Sequence, residues 1–176
     1  MAGVRVRRLH GATEAQLQGL ADVLIDCVEG GASVSFMWPL SRDKAIAFWR
    51  GVAEGAARGE RVLLAAEDDR RIVGTVQLVL AQPDNQPHRA DLAKLLVHRS
   101  MRQRGIGEAL MRAAEVAAHE AGKTLLVLDT ASADAERLYA RTGWQKSGVI
   151  PDYALLPHGG LCDTVFYYRR LGAGRM

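Results

Sequence analysis

The chain has 176 residues, 48% hydrophobic and 24% charged, with a net charge of +3. That suits one domain across 1–176, large enough to bury a core without a metal or disulfide staple, and excludes a disordered chain. No apolar run reaches the roughly 18 residues of a membrane span, and residues 1–10 alternate Val with Arg, which is no signal-peptide core. Cys27 and Cys162 stand alone, without the CxxC spacing of a metal or redox site, so the expected setting is reduced and cytoplasmic.

Residues 4–9 alternate and predict a first strand. Thr13 and Gln16 form a capping box, followed by Leu17, Leu20, Ala21, Leu24 and Val28 at helical spacing, with Gly30-Gly31 as the stop. Ser41 caps a second helix that Gly59 ends. Residues 62–67 and 72–81 predict two strands of a hairpin, and 82–88 a loop with Pro83 and Pro87. A strand over 90–97 and a helix over 105–121 follow. The continuous apolar run 124–129 predicts a central strand. A short helix over 133–142, a strand over 144–150, a loop over 151–160 and a strand over 161–171 complete the chain. This order predicts a mixed α/β (α+β) domain, with an early antiparallel meander and one parallel pair around the 105–121 helix.

The positive charge is uneven. Lys94, Arg99, Arg102 and Arg104 lie within 94–107 with no acidic residue between them. In the same stretch, Arg102-Gln103-Arg104-Gly105-Ile106-Gly107 follows a strand and opens a helix. A helix N-terminus presents unpaired N–H groups and partial positive charge, glycines admit an anion close to the backbone, and arginines add donors. The segment lacks the Lys and hydroxyl of a P-loop. It departs from the dinucleotide fingerprint at Leu110, where the third glycine belongs; Asp129 at the end of the next strand keeps that reading in play. Nucleic-acid binding by 94–107 is disfavoured because the stretch has no aromatic residue for base stacking.

Arg102-x-x-Gly105-x-Gly107 resembles the pyrophosphate loop of the GCN5-related N-acetyltransferase (GNAT) superfamily. Downstream, Ala135, Leu138, Tyr139, Gly143 and Trp144 resemble that family's N-x-x-A-x-x-L-Y-x-x-x-G-F/W signature, with Ser132 in the Asn position. The resemblance covers most of the chain. It implies the GNAT fold, a mostly antiparallel mixed sheet of about seven strands with about four helices. It also implies direct acetyl transfer from acetyl-CoA to the amine of a small molecule. Leu95, Leu96, Val97, Arg102, Gln103, Arg104, Gly105, Ile106, Gly107, Ser132 and Tyr139 are the implied cofactor contacts. "EGGASVSFM" (29–37), "KLLV" (94–97), "LDT" (128–130) and "PDYALLPHGG" (151–160) resemble the tabtoxin-resistance type, which acetylates a small β-lactam toxin. The superfamily contains monomers and homodimers.

Acetyl transfer to an amine requires a held thioester, a polarised carbonyl, a deprotonated ammonium and a stabilised thiolate. Tyr139 is the candidate acid, since a phenol with a pKa of about 10 stays protonated at neutral pH. Asp91 and Asp129, on the two central strands, are candidate bases or ammonium ligands; Asp129 equally suits a cap on the following helix, and Asp91 a solvated charge. Ser33, Phe36 and Tyr153 join the two carboxylates as candidate acceptor contacts on the loops 29–37 and 151–160. His88 is the histidine placed nearest that region, and no His, Cys or carboxylate spacing calls for a metal. The competing function is an acyl-CoA-binding sensor that binds without turnover.

Overall fold

The computed structural model describes residues 3–69 and 71–172. Its elements run β1 (Arg5–Leu9), α1 (Glu14–Glu29), α2 (Arg42–Ala57), β2 (Arg61–Asp68), β3 (Arg71–Val79) and β4 (Arg89–Val97). A single 3-10 turn (Arg99–Met101) leads to α3 (Ile106–Glu120), β5 (Leu125–Thr130), α4 (Ala133–Arg141), β6 (Gln145–Leu155) and β7 (Leu161–Arg170). The seven strands form one sheet in the order β1-β2-β3-β4-β5-β7-β6. All neighbours are antiparallel except β4 and β5, as the element order predicts.

Local chemistry sets the helix ends. Thr13 makes the full capping box with Gln16, and Ser41 accepts from the Lys44 amide. Two cores flank the sheet. Leu20, Leu24, Trp49 and Val52 of α1 and α2 pack on Leu63 and Ala65 on one face. Ile106, Leu110, Met111 and Ala114 of α3 pack on Val62, Leu78 and Leu126 on the other, where Tyr139 of α4 and Trp144 extend the same core. Helix α3 approaches closely because β3 carries Gly74 beneath it. A Cβ there would lie 3.1 Å from the Leu96 carbonyl and 3.2 Å from Leu110 Cδ1. Leu110, which breaks the dinucleotide fingerprint, is therefore accommodated by a glycine on the strand instead of one on the helix.

One expected loop is largely strand. β6 continues through Pro151 to Leu155, so only its tip joins β7. It is the edge strand, its register breaks twice, and nearly all of it is exposed, so Pro151 and the positive φ of Asp152 cost the sheet no central ladder bond. Among the described residues, no helix is long and apolar enough to cross a membrane.

Candidate active site

The parallel pair opens into a cleft. β4 and β5 share only three register pairs, Arg89 with Leu125, Ala90 with Leu126 and Asp91 with Val127. Beyond Asp91 the strands part, although β4 runs on to Val97 and β5 to Thr130. β4 also carries a bulge: Thr75 faces Leu96 and Gln77 faces Ala93, so Lys94 and Leu95 together oppose Val76. Lys94 has φ +53°. A bulge leaves backbone groups out of the ladder and re-aims side chains, and here it lies on the rim of the cleft.

The candidate anion cradle follows β4 at the end where the strands part. Gln103 (φ +61°) and Gly105 (φ +76°) curl the chain so that Ile106 begins α3 without a side-chain cap. The first amides of α3 are therefore left to an external acceptor. A Cβ on Gly105 would meet nothing within 4 Å, so the approach is open, whereas one on Gly107 would lie 3.3 Å from Leu138 Cδ2. The second glycine thus lets α3 and α4 meet beside the cleft.

The basic stretch divides in the structure. The Arg99 side chain is engaged by Asp26 and Glu29 of α1. Arg102 lies back along β4, its Nε donating to the Val97 carbonyl at 3.2 Å. Lys94 faces the opposite side of the sheet. Among the described residues, only Arg104 of the four makes no hydrogen bond or ion pair within the chain. Of the four, only Arg99 is neutralised by ion pairs among the described residues, Arg102 is tied to a backbone carbonyl and Lys94 lies away from α3, so the candidate cradle consists of helix amides, two glycines and Arg104.

Asp129 stands beyond the parting of the strands, and Tyr139 of α4 is packed in the α3-side core close enough to feel its charge. Asp129 Oδ2 accepts from Thr164 Oγ1 of β7 at 2.7 Å. The cap of α4 is Ser132, whose Oγ accepts from the Ala135 amide at 3.3 Å, so Asp129 is released from the capping role. Tyr139 is 4% exposed and packs against Trp144 and Tyr167, with ring centroids at 5.9 and 5.6 Å. Burial pushes its phenol well above the ordinary tyrosine value, and the nearby Asp129 and Tyr167 push the same way. It is a buried phenol that stays protonated at neutral pH.

Asp91 is not brought to Asp129. It lies where the strands are still paired, in an ion pair with Arg89 and accepting from Gln82 Nε2 at 3.2 Å. Both of its oxygens are occupied, so it fastens the closed end of the cleft. His88 is also at that end and lines an open depression on the bare face of β5 and β7, with Val127, Phe166 and Tyr168.

On that same face, residues 30–40 meet the β6–β7 hairpin and form a roof. The Trp38 amide donates to the Pro157 carbonyl at 3.0 Å, His158 Nε2 lies 2.8 Å from the Glu29 carbonyl, and Cys162 Sγ lies 3.7 Å from Ser33 Oγ. Phe36 stands edge-on to Phe48 of α2 at 5.1 Å, and Tyr153 edge-on to Phe166 at 6.1 Å. Ser33 and Phe36 belong to this roof; Tyr153 stands on β6, 51% exposed. Sequence reasoning missed Lys94 as a resident of this side. Its Nζ donates to Ser35 Oγ at 3.2 Å and sits 5.8 Å from the Phe48 ring centroid.

An uncapped helix start with two glycines, following a strand that parts from its parallel neighbour, suits a ligand with an anionic end. Comparison with known proteins gives the class. The profile of the acetyltransferase (GNAT) family matches residues 20–144. An uncharacterized N-acetyltransferase from Azospirillum brasilense is 30% identical over 131 residues, 73% of this chain and 76% of that protein. An N-acetyltransferase from Staphylococcus aureus Mu50 superposes with a TM-score of 0.79 at 18% identity, covering 96% of this chain and 98% of that one. A phosphinothricin acetyltransferase from Sinorhizobium meliloti, solved with acetyl-CoA, superposes with a TM-score of 0.79 at 18% identity, covering 99% and 91%. The chain belongs to the GNAT family of acetyltransferases. The acetyl donor of that class is acetyl-CoA.

Proposed function

We propose that this acetyltransferase moves an acetyl group from acetyl-CoA directly to the amine of a small molecule bound under the 30–40 roof. The observation that carries the reading is the parting of β4 and β5 after Asp91, with Asp129 beyond the last pair and the uncapped start of α3 following β4. Acetyl-CoA supplies an acetyl group activated as a thioester.

The chain's residues fit that donor. The α3 amides after Gly105, with Gln103, Ile106, Gly107 and Arg104, hold a pyrophosphate; Arg102 and Ser132 shape the loop and helix that present these groups. The bulged end of β4, Leu95 to Val97, pairs with an extended pantetheine arm as an added strand would. A backbone amide freed by the bulge polarises the acetyl carbonyl.

Asp129 holds the acceptor ammonium and, directly or through one water, takes the proton that leaves it. The amine nitrogen bonds to the acetyl carbon and the carbon–sulfur bond breaks. Tyr139 gives its proton to the departing sulfur, and the second proton, shed by the nitrogen as the amide forms, passes through water to restore the phenol. Cys27 does not suit a relay through an acetyl-enzyme: it is buried and burial pushes its thiol up, against thiolate formation.

The acceptor pocket is built from the segments that resemble the tabtoxin-resistance type, so a small antimetabolite, a β-lactam toxin among them, is the proposed acceptor class. The fold is proposed to act as one domain across 1–176. Thiol release from acetyl-CoA across a panel of small amines tests the reading. Acceptor-dependent release with an acetylated product supports it; acetyl-CoA binding without turnover of any amine overturns it.

A further inference from the structure

Lys94 has no function in the chemistry above, yet the structure goes to some length to keep it where it is. The residue sits in the β4 bulge at φ +53°, and its hydrogen-bond partner Ser35 has φ +77°. Two hydrogen-bonded side chains thus both project from left-handed backbone, a conformation that non-glycine residues rarely enter. Phe48 presents its ring to the same ammonium. Burial lowers the Lys94 pKa, the nearby Asp129 opposes that shift, and Arg61 of β2 adds to it. Arg61 is itself held by Gln77 Oε1 at 2.8 Å. Among the described residues, no carboxylate lies within 4.0 Å of Lys94 Nζ.

Among the described residues, the acceptor side of the cleft therefore sets a half-buried lysine that lacks a carboxylate partner near the Asp129 carboxylate. A simple amine would find Asp129 attractive but would face Lys94 and Arg61 as like charges. An acceptor carrying an ammonium and an anionic group would satisfy both sides. We propose that Lys94 is a specificity-determining residue that binds the carboxylate of a zwitterionic acceptor, an aminocarboxylate whose amine is held by Asp129. Ser35 orients the ammonium of Lys94, and Phe48 replaces part of the solvation it loses.

This inference rests on the acetyltransferase reading and deepens it. The test is a panel of small aminocarboxylates, each assayed beside its carboxamide, with acetyl-CoA at saturation. Wild-type protein is expected to favour the free acids by about tenfold or more in kcat/KM, because the carboxamide leaves Lys94 unpaired. Lys94→Met is expected to raise KM for the acids and to collapse the acid-to-carboxamide ratio toward one, while Lys94→Arg retains the preference. Calorimetric titration with acetyl-CoA serves as the independent control on each variant. If acetyl-CoA fails to bind the wild-type protein, the broader reading falls. If it binds, equal use of acids and carboxamides, an unchanged ratio in Lys94→Met, or no turnover of any acid overturns the role of Lys94.

Discussion

Thr164 of β7 donates its hydroxyl to Asp129 Oδ2 at 2.7 Å, which fixes one carboxylate just beyond the point where β4 and β5 part. Thr164 is 3% exposed, so the bond is shielded on one side while the carboxylate itself opens to the cleft.

Replacing that threonine separates positioning from chemistry. Thr164→Val keeps the shape and deletes the donor, a loss of about 1–2 kcal/mol in a charge-assisted bond. The expected outcome is a roughly five- to thirtyfold fall in kcat/KM, with acetyl-CoA affinity retained. Asp129→Asn removes the charge itself and should lower kcat/KM by about 10²–10⁴. Steady-state kinetics and calorimetry on both variants check the order; equal activity in Asp129→Asn and wild type would contradict the assignment.

Tyr139 gives a pH signature. Its folded pKa is raised, mainly by burial, above the ordinary value of 10.0. The phenol is therefore a proton donor throughout the neutral and mildly alkaline range. The expected rate profile shows no loss below pH ~9 that Tyr139→Phe abolishes, and Tyr139→Phe lowers kcat at every pH tested. The same shift has a stability consequence. A raised folded value contributes stability that is complete below the unfolded pKa near 10 and is lost as pH climbs toward the folded one. Wild-type melting temperature should accordingly fall more steeply above pH 10 than that of Tyr139→Phe.

Gly74 tests the packing that brings α3 to the cleft. A Cβ at this position would press on the Leu96 carbonyl at 3.1 Å, on Leu110 and on Ile106. Gly74→Val should destabilise the fold by about 1–3 kcal/mol and also weaken acetyl-CoA binding, since Ile106 opens the helix that forms the cradle. Denaturant unfolding and calorimetry read the two effects. Full stability with full affinity would show that the close approach is unnecessary.

Much of this architecture was legible in the sequence because its signals are local. Thr13 with Gln16, Ser41 and the period of α1 and α2 act within a few residues, and the short apolar run 124–129 is typical of a central strand. The signature around Ala135, Leu138 and Tyr139 likewise sits on one helix. What stayed hidden depends on partners far along the chain. Arg99 reads as a free cation, but its partners Asp26 and Glu29 lie on α1. Lys94 reads as part of the same basic stretch, but the bulge opposite Val76 sends its side chain to the other face. Asp91 and Asp129 look equivalent, yet the register of β4 on β5 puts one at the closed end and the other beyond the parting. Pro151 and the glycines after it suggest a loop because the sequence carries no mark that β6 lies at the sheet edge.

The most direct test of the account is a calorimetric titration of acetyl-CoA into the wild-type protein and into the double variant Arg104→Glu, Gly105→Asp. Two negative charges at the start of α3 would oppose the helix end and close its open approach; among the described residues Arg104 has no partner to lose, and Gly105, at φ +76°, has free space around it and is replaced by Asp, one of the few side chains that enter that region routinely. The account predicts one saturable site on the wild-type chain and loss of binding in a variant that remains folded by circular dichroism. Undiminished affinity in the folded variant would contradict it.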